Sequence, residues 1–123
     1  MVFRTKTSKR TMEIFSAIDQ TEHLAPFILA KISIALAIHS GYKWNGEMAD
    51  INGLDLNRQT ITGENDLLFK KLIEMNEGRF IPEEEYFPDY VKGYMDHGAI
   101  LLEQENKYGK EFYSHLINMD EGI

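Results

Sequence analysis

The stretch Leu24-Ala25-Pro26-Phe27-Ile28-Leu29-Ala30-Lys31-Ile32-Ser33-Ile34-Ala35-Leu36-Ala37-Ile38 decides how the chain must fold, because as a helix it is apolar on nearly every side. Its proline stands where a first helical turn tolerates one, and Ser40-Gly41 supplies a C-terminal stop. Only Lys31 and Ser33 interrupt the apolar surface, so the helix needs cover on several sides, more than a small monomer readily provides. Two arrangements meet that need. Either the helix lies at the core of an oligomer, with Phe27, Ile28, Ile34, Leu36 and Ile38 in the interface, or this chain's own later helices wrap it. Lys31, nearly alone among apolar neighbours, is expected either at an exposed groove or beside a carboxylate, with exposure favoured.

Upstream, Val2-Phe3-Arg4-Thr5-Lys6-Thr7 reads as a short strand. Its period of two puts Phe3 and Thr5 on one face and Arg4 and Lys6 on the other. Ser8 can cap the helix that follows, in which Met12, Ile14, Phe15, Ala17 and Ile18 form a broad apolar face. Lys9 and Arg10 fall on its first turn, where cations oppose the helix macrodipole, and a bound phosphate would give their placement a reason. A basic strand, an amphipathic helix and an apolar helix in that order suggest a DNA-binding dimerisation unit.

The composition bounds what else is possible. A chain of 123 residues with this apolar content is expected to form one domain over 1–123. Without cysteine it can form no disulfide, thiolate metal site, persulfide or cysteine nucleophile. The net charge of −7 is uneven: residues 1–63 hold seven Lys/Arg and six Asp/Glu, residues 64–123 six and fourteen. With the acidity in the second half, sequence-independent DNA affinity would require several subunits to pool their cations. The N-terminus lacks a signal-peptide layout, and the apolar run Ile32 to Ile38 is too short to span a bilayer, so a cytoplasmic protein without membrane contact is expected.

Residues 41–63 are turn-rich, with Asn45-Gly46 and Asn52-Gly53 as turn dipeptides. From Gly63 the pattern predicts a helix with Leu68, Leu72, Ile73 and Met75 on its core face, Lys70 and Lys71 outward and Gly78 as its stop. After Pro82 and the acidic run Glu83 to Glu85, a helix beyond Pro88 carries Tyr90, Val91, Tyr94, Met95, Leu101 and Leu102. In it Gly93 and Gly98 mark a close helix contact or a bend rather than a ligand site. A last helix is expected around Glu111 to Met119. The fold class is therefore mainly α, a strand-helix-helix unit followed by a turn-rich segment and two or three further helices, in an oligomer.

Little in the chain points to chemistry. The histidines at 23, 39, 97 and 115 are too dispersed for a metal signature. Asp96-His97 with Glu83 to Glu85 and Asp89 would make a site only if folding gathered them, and helix-start carboxylates explain the acidic run more simply. Thr60-Ile61-Thr62-Gly63-Glu64-Asn65-Asp66 lacks the Gly-Lys-Ser/Thr ending of a P-loop, which leaves Thr62 as a helix cap. Tyr86, Phe87, Tyr90 and Tyr94 lie among acids and read as core or interface. No catalytic residue, metal or cofactor is expected.

The tract Leu54-Asp55-Leu56-Asn57-Arg58-Gln59-Thr60-Ile61-Thr62-Gly63-Glu64, followed by Leu68-Phe69 and Tyr86-Phe87-Pro88, resembles the DNA sulfur modification protein family DndE, as do Ser8-Lys9-Arg10-Thr11 and the Pro26 helix. The likeness reaches to about Glu105. It implies a small component of bacterial DNA phosphorothioation, in which sulfur replaces a non-bridging phosphate oxygen. Its family acts with a cysteine desulfurase, an iron-sulfur sulfurtransferase-like protein and an ATPase, and is thought to form tetramers and to bind DNA, including nicked duplex. A chain without thiols can hold DNA but cannot carry the sulfur. The first forty residues are also loosely similar to ribbon-helix-helix repressors, in which paired strands enter the major groove. On either likeness Arg4, Lys6, Lys9 and Arg10 are the leading DNA contacts, with Lys31, Lys43 and Arg58 weaker candidates. A transcriptional repressor and an adaptor that touches only proteins remain the alternatives, and all these cations can also be ordinary solvated charges.

Overall fold

The protein is described by a computed structural model covering residues 3–121, with side-chain surroundings for 3–107. Strand β1 (Arg4–Lys6) leads to α1 (Lys9–Glu22) and α2 (Pro26–His39), which are bent 115° from one another. After a long loop come β2 (Asp55–Asn57), the single turn α3 (Arg58–Ile61), a 3-10 turn at Gly63–Asn65, α4 (Asp66–Glu77), the turn α5 (Glu83–Glu85), a kinked segment at Tyr86–Tyr90 and α6 (Val91–Glu121). Ser8 caps α1 as expected, its side chain accepting from the Thr11 N–H at 3.0 Å. Gly78 ends α4. Where a separate last helix was expected, the backbone continues α6 without a break. The side chain of His115 lies outside the described residues.

β1 pairs antiparallel with β2 of the same chain, Arg4 opposite Asn57, Thr5 opposite Leu56 and Lys6 opposite Asp55. A ribbon-helix-helix arrangement pairs this strand between subunits; here it pairs with β2 of its own chain. Thr5 is buried while Arg4 and Lys6 face outward, as the alternation requires, but Phe3 lies just outside the ladder and is 58% exposed.

α6 is the main neighbour of α2 and covers one of its faces. Leu29, Ala30, Ile34 and Ala37 join Val91, Tyr94, Met95 and Ala99 in the core. The crossing is close because Gly98 has no side chain: a Cβ there would stand 1.7 Å from the Ser33 carbonyl oxygen. Gly93 likewise leaves room for the Trp44 ring, 2.6 Å from where a Cβ would be. Both glycines are thus contact points between packed elements. The apolar helix is accordingly wrapped on one side by its own chain. Ile34, expected in an oligomer interface, is fully buried within the chain and cannot make such a contact. Leu36 and Ile38 are half-buried, and Ile38 packs against the core. Phe27 and Ile28 remain exposed, with Ile32 beside them.

α4 turns inward a face rotated from the one expected. Ile73 is buried as expected and Leu72 is partly covered, but Leu68 and Met75 are exposed and Phe69 is buried in their place. Two phases of the same helical period were available, and the chain beyond Gly78 selects one. It folds back so that the Glu74 carboxylate accepts the Ile81 N–H at 2.9 Å, which places Glu74 on the inner side. Lys70 is also drawn inward, lying over the Phe80 and Tyr86 rings and pairing with Glu83 at 3.1 Å.

Candidate nucleic-acid interface

The cations of the first half separate into two groups. Arg4, Lys6, Lys9 and Arg10 follow one another along β1 and the first turn of α1, and all four are exposed. Arg4 donates through Nε to Asp55 across the ladder at 3.0 Å, and Arg10 pairs with Glu103 of α6 at 2.5 Å, both at exposed positions. Lys6, Lys9 and the loop residue Lys43 make no ion pair or side-chain hydrogen bond among the described residues. Exposed pairs of the Arg4 and Arg10 kind are each worth at most about 1 kcal/mol, so those guanidinium groups can exchange partners.

The start of α1 does not need a phosphate to explain it. Asp96 of α6 accepts the Ser8 N–H at 3.1 Å, and Asp50 accepts the Lys9 N–H at 2.9 Å. Two carboxylates therefore meet the positive end of the helix dipole. The hydrogen bonds from Lys9 and Asn52 hold the Asp50 carboxyl below its ordinary range.

Lys31 and Arg58 belong to the second group, away from the role expected of them. Lys31 is half-buried rather than exposed, its ammonium donating to the Thr60 carbonyl at 2.9 Å and lying over the Phe27 ring. A carbonyl thus takes the place of the carboxylate or solvent anticipated for it. Arg58 forms a fork on Asp66, Nε to Oδ1 at 3.0 Å and a terminal nitrogen to Oδ2 at 2.6 Å. It also pairs with Glu83 and lies over the Tyr86 and Phe87 rings. Burial alone would raise the Asp66 carboxyl, but the bonds from Arg58 and the Thr62 hydroxyl hold it below the usual range. Thr62 thus donates to Asp66, at 2.6 Å, and serves as no side-chain cap. Arg58 ties α3 to α4 and α5 and leaves no free donor fork for a phosphate.

Asp96, His97 and the acidic run do not gather. Asp96 accepts from buried Lys92 at 2.7 Å and from the Thr11 hydroxyl at 2.7 Å. His97 stacks on Tyr42 with ring centroids 4.0 Å apart, and burial lowers its basicity. Glu83 is engaged by Arg58 and Lys70, and Glu85 by Arg79. Among the described residues no group of three or more histidine or carboxylate side chains is placed to hold a metal ion. Lys92, which sequence reasoning missed, also donates to the Asp50 carbonyl at 2.9 Å. Its spacing of four from Asp96 was the available signal.

Beside the basic edge lies an open recess of about 430 Å³ lined by Phe3, Asn57, Arg58, Gln59, Gly63 and Asp66. The Phe3 carbonyl accepts the Arg58 N–H at 2.7 Å, which fixes the strand entrance against α3.

The sequence profile of the family described as DNA sulphur modification protein DndE matches residues 4–110. No curated protein sequence matches the chain. Among solved structures it is similar to DndE from Escherichia coli B7A, involved in DNA phosphorothioation modification, with a TM-score of 0.68 and 16% identity over 83% of this chain and 97% of that one. A double glycine-to-lysine mutant of DndE involved in DNA phosphorothioation superposes with a TM-score of 0.63 and 16% identity, covering 83% of this chain and 98% of that one. At 16% identity the structural likeness speaks for the fold alone.

Proposed function

The chain belongs to the DndE family of DNA sulphur modification proteins, and from that premise we propose that it is a non-catalytic subunit that holds duplex or nicked DNA by its phosphate backbone during phosphorothioation. The observation that carries this reading is the exposed run Arg4, Lys6, Lys9 and Arg10, in which two ammonium groups have no carboxylate partner among the described residues. Such contacts position DNA without reading its bases. The absence of cysteine supports a role in which the sulfur is carried by partner proteins, a sulfurtransferase-like subunit working with an ATPase in the cytoplasm. The acidic second half supports self-assembly, since one chain's four exposed cations bind DNA weakly against it. A homo-oligomer, a tetramer on this reading, assembles through Phe27 and Ile28, the expected interface residues of that helix that remain exposed.

The test is fluorescence anisotropy of matched intact and nicked duplexes across a salt series, with solution mass measured in parallel. Salt-sensitive binding by an oligomer, indifferent to sequence, is expected. Sequence-selective binding would point to a repressor instead, and no binding at low salt to an adaptor for proteins. Phe27→Ser with Ile28→Ser is expected to lower the mass while leaving the chain folded; an unchanged mass would remove that face from the assembly.

A further inference from the structure

We propose that the recess between Phe3 and Gly63 is a site for one unpaired nucleobase of the bound DNA, stacked on Phe3 with its edge against the Gln59 amide. The inference rests on the DNA-holding reading and adds a contact that phosphate binding alone does not require. Phe3 is large, apolar and 58% exposed. A lone exposed aromatic is ordinary, but this one stands at the mouth of a recess and next in sequence to Arg4, the first cation of the basic edge. Its backbone is held by the Arg58 N–H, so the ring starts from a fixed strand.

The recess has the chemistry of a base rather than a phosphate. The charge of Asp66 is balanced by the fork from Arg58, so neither contributes a free charge. Gln59 is exposed, and its amide makes no hydrogen bond among the described residues. That amide carries both donor and acceptor and can meet the edge of any base. At about 430 Å³ the recess lies within the range of small-molecule sites. Arg4 follows Phe3 directly in the chain, so a base seated here lies close to the start of the basic edge, the pairing of stacking platform and cationic track found in single-strand binders.

The experiment uses the full-length protein and a duplex carrying one unpaired 2-aminopurine, compared with the fully paired duplex. Stacking on Phe3 is expected to change the probe's emission on binding. Phe3→Ala is expected to lower affinity for the unpaired-base duplex roughly fivefold to a hundredfold while leaving the paired duplex unaffected, with Phe3→Trp restoring it. Gln59→Ala should reduce the preference by a smaller factor. Equal binding of both duplexes with unchanged emission would overturn the base site and leave the backbone reading standing. No binding to either duplex or to the single strand would overturn both. A fall in solution mass in Phe3→Ala would assign the ring to a contact between subunits instead.

Discussion

The N-terminal edge and the interior around Arg58 and Lys92 use the same cationic residues in opposite ways. Arg4, Lys6, Lys9 and Arg10 stand outward, held by exposed carboxylates or by none. Arg58 and Lys92 are surrounded by carboxylates, carbonyls and rings, with Lys92 only 1% exposed. The first group stays available because its partners are weak and solvated. The second is fixed because freeing Lys92 strands the buried Asp96 carboxylate, and freeing Arg58 strands the half-buried Asp66. A lysine or arginine in the sequence is therefore not yet a DNA contact; the count of acceptors that folding brings to it decides.

The largest effect should come from Lys92→Ala, which leaves Asp96 buried with only Ser8 and Thr11 to satisfy it. A loss of about 3–5 kcal/mol in urea denaturation is expected. A loss below about 1 kcal/mol would place Lys92 with the outward cations and collapse the distinction.

Arg58→Met should cost roughly 2–4 kcal/mol, less than a fully buried pair, since 17% of the arginine side chain is exposed. It also has a pH signature. Asp66 and Glu83 are both held below their ordinary range, so the stability they contribute is complete above roughly pH 4 to 4.5 and is lost as pH falls through the depressed values. The gap between the wild type and Arg58→Met should therefore be widest near neutrality and narrow on acidification. A gap independent of pH would mean that packing on Tyr86 and Phe87, rather than charge, is what Arg58 supplies.

Lys6→Glu with Lys9→Glu sharpens the other side. Stability should change by no more than about 0.5 kcal/mol, because neither ammonium has a partner to lose among the described residues. DNA affinity should fall alike for all sequences, with the salt slope reduced by about 2. An unchanged slope would take both residues off the DNA surface. The smallest effect is expected from Glu103→Gln, which releases Arg10 from an exposed pair. Stability should hardly move, and binding should tighten slightly; weaker binding would mean that Glu103 orients Arg10 rather than competing for it.

Much of the fold was legible because it is written locally. The Ser8 cap, the alternation of Arg4, Thr5 and Lys6, the Pro26 start and the Gly78 stop depend on residues a few positions apart. The exposed cations of the candidate site were legible for the same reason. The engagement of Lys31 and Arg58 was not legible, because their partners are Thr60, 29 residues away, and Asp66 and Glu83, brought in from other helices. Phe3 and Gln59 gave no local signal, since a recess exists only between elements.

The sequence by itself determined that the chain is mainly helical, that it carries no thiol, that its acids gather in the second half and that one helix is too apolar to stand alone. Those properties follow from residue chemistry and from periods of two and 3.6. The tertiary structure alone decided that α6 covers α2, that α4 turns Phe69 inward rather than Leu68 and Met75, and that Asp96 reaches back 88 residues to the start of α1. Burial and charge pairing depend on which distant segments meet, and no local period encodes that.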